Sequence, residues 1–220
     1  VKMIEGVSIV PSYRPEGTLL CVVQGLADVG FSRVILIDDG SGEDYRALFA
    51  RASQTPRCVL LRHEENRGKG TALKTGVQFF LDHPEQEVGV VTVDGDGQHD
   101  PAYLSAVLEP VEKGQLDMCI GSRFITREGF QTSFMRRVGI SFLSGLVRLL
   151  SGKKVLDVTS GFRACGREMF CYFANHYASD YPEPEAALAA ILRGFRVGEA
   201  PVVMEERQGG VSSINPVRSV

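Results

Sequence analysis

Residues 90–101 read VVTVDGDGQHDP, an apolar run of strand type that ends in three aspartates, two glycines, a glutamine and a histidine. A near-continuous apolar strand is the pattern of a parallel sheet covered on both faces. In such sheets, ligands bind beyond the carboxyl ends of the strands. Alternate side chains of a strand share a face, so a strand over 88–94 predicts that Asp94 and Asp96 aim their carboxylates at one point. Gly95 and Gly97 leave the backbone between them open to a bulky ligand. Two hard oxygen ligands at one spot suit Mg²⁺ or Mn²⁺, with substrate phosphate oxygens completing the shell. Gln98 can add a further oxygen. The competing reading is an Asx-rich turn that merely starts the next helix, and it fits Asp100 as N-cap with Pro101 at the first helical position. It suits Asp94 and Asp96 less well, because adjacent carboxylates repel unless something positive lies between them. A calcium EF-hand is excluded, since the places for its Gly and Glu, counted from Asp94, hold His99 and Ser105.

Outward from this stretch, apolar runs alternate with amphipathic segments. Strands are predicted at 7–11, 33–38, 58–63, 88–94 and 117–121, and helices at 16–29, 43–53, 70–83 and 101–113. This is the spacing of repeated βα units, so the expected fold is α/β, a mostly parallel sheet with helices on both faces. Polar residues follow several of the strands: Tyr13 the first, Asp38 and Asp39 the second, Gly121 to Arg123 the fifth. In IDDGSGED (37–44) an aspartate can accept hydrogen bonds from a nucleobase or ribose, although turn chemistry alone also accounts for the pattern. HEENRGKGTALKTG (63–76), which includes Lys69, is basic and glycine-rich before a helix and suits phosphate contact, without the residue order of a P-loop.

Composition excludes several classes. A net charge of -3 over 220 residues argues against general nucleic-acid affinity. Five scattered cysteines without a CxxC pair indicate neither a disulfide framework nor a zinc site, and fit reduced thiols in a cytosolic setting. No stretch approaches the roughly 18 uninterrupted apolar residues of a membrane span. Repeats and low-complexity tracts are absent, so 1–220 reads as one domain, with halves at 1–125 and 126–220.

Four ordered motifs, VPSYRPEG (10–17), VILIDDGSGED (34–44), NRGKGTALKTG (66–76) and VDGDGQHDP (93–101), make the chain resemble the family 2 glycosyltransferases of the GT-A fold. The likeness is greatest to the polyprenyl-phosphate enzymes related to dolichol-phosphate mannose synthase, and it extends through GSRF (121–124), DVTSGFRA (157–164) and 181–213. The resemblance implies that Pro11, Tyr13, Glu16, Asp38, Asp39 and Lys69 serve the nucleotide-sugar site together with Asp94, Gly95, Asp96, Arg123 and Arg207. It implies that Asp94, Asp96 and Gln98 hold Mg²⁺ or Mn²⁺, the DxD metal set. Arg123 and Arg207 would contact the diphosphate or the acceptor phosphate, and Asp157 is the acid nearest the reacting groups, so Asp157, Asp96 and Arg123 form the catalytic set. The implied reaction is inverting transfer of a sugar from a nucleotide-sugar, with the diphosphate's charge taken up by metal and arginines. Arg14, the displaced Glu16 and Ser213 depart from the mannose synthases, and RQGG (207–210) favours a UDP-sugar over GDP-mannose.

The segment 129–156 carries Arg136, Arg137, Arg148, Lys153 and Lys154 and no acid. Its middle, VGISFLSGLVRLLSG (138–152), is apolar around much of the helix and too short to span. Such a juxtamembrane amphipathic helix can lie in a membrane interface with its basic residues at the head groups; the alternative is a core helix with solvated basic ends. Taken with the resemblance, the expected partners are a nucleotide-sugar donor, a polyprenyl-phosphate acceptor and a membrane surface, with no nucleic acid and room for a homo-oligomer. The expected location is the cytoplasmic face of a bacterial inner membrane, with a membrane segment following this chain. The rival functions are a glycosyltransferase that extends a polysaccharide or glycolipid, which would need a true base, and a non-catalytic nucleotide-sugar-binding module.

Overall fold

The computed structural model describes residues 4–83, 89–126, 128–129, 133–178 and 182–205. The predicted strands form as β1 (Ile4–Ser12), β2 (Phe31–Asp38), β3 (Cys58–Arg62), β4 (Gly89–Thr92) and β5 (Met118–Ser122). The predicted helices form as α1 (Thr18–Val29), α2 (Arg46–Ala52), α3 (Lys69–Asp82) and α4 (Leu104–Glu112). They are followed by α5 (Phe134–Ser151), β6 (Arg163–Gly166), α6 (Arg167–His176), α7 (Pro182–Leu192) and β7 (Val197–Pro201).

The strands make one sheet in the order β3-β2-β1-β4-β6-β5-β7. All pairs are parallel except those of β6, which runs antiparallel between β4 and β5. The inner strands β4 and β5 and most of β2 are buried along their length because helices cover both sides of the sheet. Val7, Ile9, Ile35, Ile37, Val90 and Cys165 face the core under α3 and α6. Val10, Val34, Leu36, Val91, Cys119 and Ala164 face the core under α1, α2 and α4. The mostly parallel sheet with helices on both faces is as expected. The direction of strand order reverses beside β1, between β2 and β4, which puts a crevice at the carboxyl ends of these strands. Because β6 is antiparallel, its first residues arrive at that same edge.

Helix α5 begins at Ser133, whose Oγ accepts the Arg136 N–H at 3.4 Å, and ends at Gly152 in the left-handed conformation. Only Ile140 and Val147 of the helix are buried, on the side that meets α7. Phe134, Met135, Phe142 and Leu149 are 69–81% exposed, and Val138, Leu146 and Leu150 are also exposed. An ordinary core helix does not leave most of its large apolar side chains in solvent. No helix among the described residues is long and apolar enough to cross a membrane.

Candidate functional site

The edge of the crevice is built first by β1 and β2. Pro11 is buried in β1, whereas Tyr13 just beyond it is 44% exposed, with the Arg14 guanidinium 5.1 Å from its ring centre. Glu16 is exposed before α1. Asp38 and Asp39 are buried and already engaged. Asp38 accepts the Ser41 N–H at 2.9 Å and Arg62 Nε at 2.9 Å. Asp39 accepts the Arg67 N–H at 3.0 Å and faces His63 Nδ1 at 2.6 Å, while His63 Nε2 reaches Thr75 Oγ1 at 2.9 Å. Between them and the turn, Gly40 adopts φ +67°, and a Cβ there would stand 2.1 Å from the Glu65 carbonyl carbon, so no other residue fits. The acids thus pin the β2 turn to the segment leading into α3.

Asp94 and Asp96 do not share a strand face, contrary to the expectation. Strand β4 stops at Thr92, and both acids lie in the turn that follows. The physical reason is local: the Asp94 N–H is taken by His99 Nδ1 at 3.0 Å instead of a neighbouring strand, and Gly97 turns the chain at φ +78°. Because His99 Nδ1 accepts, the ring's proton sits on Nε2, which lies 4.0 Å from Asp94 Oδ2. Burial pushes the imidazole's pKa down against the pull of Asp94 and Asp96, so the ring is neutral and stacks on Phe162 at 4.8 Å. The Gln98 N–H donates to Asp96 Oδ1 at 3.1 Å, and Gln98 Nε2 reaches the Glu205 carbonyl at 3.5 Å. Gln98 therefore steadies the turn through its backbone N–H, with its side-chain amide nitrogen towards the backbone of 205.

The positive group that the paired acids demand is Lys69. Its Nζ stands 2.7 Å from Asp94 Oδ1 and 2.7 Å from Glu183 Oε1 on α7. Burial works against this ammonium, but the two carboxylates more than reverse that and hold it above the ordinary lysine range. Lys69, expected at the phosphates, thus makes two ion pairs at the carboxyl ends of the strands. Sequence reasoning missed Glu183, because an acid in the first turn of a helix ordinarily serves only the helix dipole. It also gave no role to His99, which stood in plain view inside the acidic motif.

On the other side, Arg123 and Asp157 form a buried fork. Arg123 Nε donates to Asp157 Oδ2 at 2.7 Å and Nη2 donates to Oδ1 at 3.0 Å. Asp157 is 0% exposed, and Glu199 holds its loop by accepting the N–H groups of Leu156 and Asp157, each at 2.8 Å. So enclosed, Asp157 holds the Arg123 guanidinium in one orientation. Arg207 lies outside the described residues. The last described residue, Glu205, donates its N–H to the Gln98 carbonyl at 3.1 Å.

Among the described residues, no group of three His, Cys, Asp or Glu side chains is arranged to hold a metal. The donor set in the turn nevertheless fits a hard divalent cation, because Asp94 and Asp96 supply carboxylate oxygens and a bound diphosphate would supply the others. Asp94, with 24% of its side chain exposed, is open to the crevice.

A sequence model of the family described as Glycosyl transferase family 2 matches residues 8–173. The chain is 29% identical over 217 residues to a polyprenol monophosphomannose synthase of Mycolicibacterium smegmatis, covering 94% of this chain and 80% of the relative. It is 26% identical over 213 residues to a UDP-N-acetylglucosamine–dolichyl-phosphate N-acetylglucosaminyltransferase of Methanococcus voltae, covering 88% and 83%. A crystal structure of glucosyl-3-phosphoglycerate synthase from Mycobacterium tuberculosis, with Mn²⁺, UDP and phosphoglyceric acid, superposes with a TM-score of 0.71 at 18% identity, covering 93% and 71%. A likeness at that identity shows the shared GT-A architecture.

Proposed function

From the premise that the chain belongs to glycosyl transferase family 2, we propose that it moves a sugar from a nucleotide-sugar, a UDP-sugar in preference to GDP-mannose, to the phosphate of a polyprenyl phosphate. The activities for which the Mycolicibacterium and Methanococcus relatives are named support this acceptor class. The observation that carries the reading is the state of Asp157, fully buried with both oxygens on Arg123. A sugar hydroxyl needs a base to remove its proton. A phosphate oxygen is already anionic and attacks without one, so a site whose expected acid is locked onto an arginine suits a phosphate acceptor.

In this reading the acceptor oxygen forms a bond to the anomeric carbon as the bond from that carbon to the diphosphate oxygen breaks, with inversion. The electron pair leaves with the nucleoside diphosphate. Asp94 and Asp96 would hold a Mg²⁺ or Mn²⁺ ion, which when bound supplies positive charge to the leaving diphosphate. His99 fixes the backbone of Asp94, and Asp157 aims Arg123 at the phosphates. Helix α5, with its exposed apolar row and basic ends, would rest on an anionic membrane surface that delivers the lipid.

The test is a transfer assay with UDP- and GDP-sugars, polyprenyl phosphate and Mn²⁺. We expect lipid-phosphate glycosylation that EDTA abolishes, and Asp96→Asn to remain folded while losing metal-dependent nucleotide binding. Transfer to an oligosaccharide hydroxyl with none to the lipid phosphate overturns the acceptor assignment; nucleotide binding unchanged in EDTA overturns the metal.

A further inference from the structure

Lys69, Asp94 and Glu183 come from three separate elements: the first residue of α3, the turn after β4 and the first turn of α7. The ammonium bridges the two carboxylates at 2.7 Å each. Glu183 is only 6% exposed, so its charge depends on this cation. Behind the bridge lies Gly161, where a Cβ would stand 2.8 Å from Lys69 Nζ and 2.9 Å from Asp94 Oδ2. The three groups are therefore built closely against the backbone that leads into β6, and are not a chance surface contact.

This bridge places a fixed cation on one of the carboxylates that the reading above assigns to a divalent ion. Two positive centres on one carboxylate repel, and the repulsion is large at this range in a partly desolvated site. We infer that Lys69 and Glu183 set the affinity of the Asp94–Asp96 turn for its divalent cation: Lys69 competes for Asp94, and Glu183, by drawing Lys69 towards α7, limits that competition. The inference rests on the metal reading of Asp94 and Asp96. Lys69 and Glu183 are positioning residues here, acting on the ion through Asp94. A purely structural bridge tying α3 to α7 would behave differently, because either substitution would then merely loosen the site.

The experiment is a Mn²⁺ titration of the full chain followed by water-proton relaxation, without and with saturating UDP. Lys69→Met removes the competing cation from Asp94 and is expected to tighten Mn²⁺ binding roughly tenfold. Glu183→Gln leaves Lys69 wholly to Asp94 and is expected to weaken it by a similar factor. Because Glu183 acts only through Lys69, the double variant should bind Mn²⁺ as Lys69→Met does, within about threefold. Lys69→Arg, which keeps the charge, should stay near wild type. Thermal melts of each variant establish the folded fraction, and Lys69→Gln replaces Lys69→Met if the latter does not fold. Shifts of the same sign in both single variants, or no shift in either, overturn the inference while leaving the metal site standing. Absence of Mn²⁺ binding by wild type with and without UDP, matched by Asp96→Asn, instead overturns the metal reading itself and the inference with it.

Discussion

At the scale of single residues, the site is dominated by charges that already have partners. The Arg123–Asp157 fork is the clearest case: Asp157 is 0% exposed and the Arg123 side chain 7%. Removing one member of such a pair strands the other in a medium that solvates it poorly. Asp157→Ala should therefore cost about 3–5 kcal/mol in urea unfolding; a loss below about 1 kcal/mol, the range of an exposed pair, would show that Arg123 is reached by solvent. Asp38 makes a milder claim. Its carboxylate holds the Ser41 N–H and Arg62, so Asp38→Ala should cost roughly 1–3 kcal/mol of stability by orphaning the buried Ser41 N–H, while the exposed Arg62 can turn to solvent. A melting temperature equal to wild type would contradict that. These residues also show where sequence reasoning stopped. It identified the acids, because paired carboxylates at strand ends are conspicuous, but identity along the chain does not reveal which cation a carboxylate faces. Lys69 and Glu183 lie 114 positions apart, and only the fold makes them neighbours of Asp94.

At the scale of elements, the first five strands and four helices were legible because each carries its own periodicity and its own Gly or Pro boundary. Strands β6 and β7 were not. RACG and VGEAP are short and weakly patterned, and β6 earns its place by pairing antiparallel between β4 and β5, a long-range contact with no local signature. Helix α5 was legible in its composition, and the structure adds that the apolar row is turned outward. With Phe142, Leu146 and Leu149 exposed and Arg137, Lys153 and Lys154 exposed near its ends, the helix should bind anionic vesicles. Each basic residue contributes about 1 kcal/mol near an anionic surface, fading with salt. Co-sedimentation at low salt should be lost on charge reversal at Arg137, Lys153 and Lys154, and residual binding at high salt should be lost in Phe142→Ser with Leu149→Ser. Equal sedimentation of all variants would mean that another surface does the binding.

At the scale of the whole molecule, one sheet takes β1 to β5 from residues 1–125 and β6 and β7 from the rest of the chain. Strand β6 lies between β4 and β5, so the edge that carries Asp94 and the edge that carries Arg123 share hydrogen bonds with the same short strand. Strands β4, β5 and β6 should therefore open together, and the cysteines report whether they do. Cys119 faces the core under α4 and Cys165 the opposite core, one on each side of the β5–β6 pairing. Burial pushes both thiols up to about 12, and Cys58 on the edge strand β3 up to about 11. The thiolate is the reactive form, so a raised pKa and enclosure both suppress reaction near neutral pH. Cys21 and Cys171 are exposed and should react first with an aromatic disulfide reagent at pH 8. Cys58 should follow as the sheet edge frays, since peripheral elements open at lower free energy than central ones. Cys119 and Cys165 should react last and at one common rate, that of global unfolding, because no local opening exposes either without breaking β5 from β6. Mass-spectrometric labelling against time distinguishes these classes. If Cys165 reacts much sooner than Cys119, then β6 detaches on its own, and the bridge from Asp94 to Arg123 through the sheet is not a rigid one.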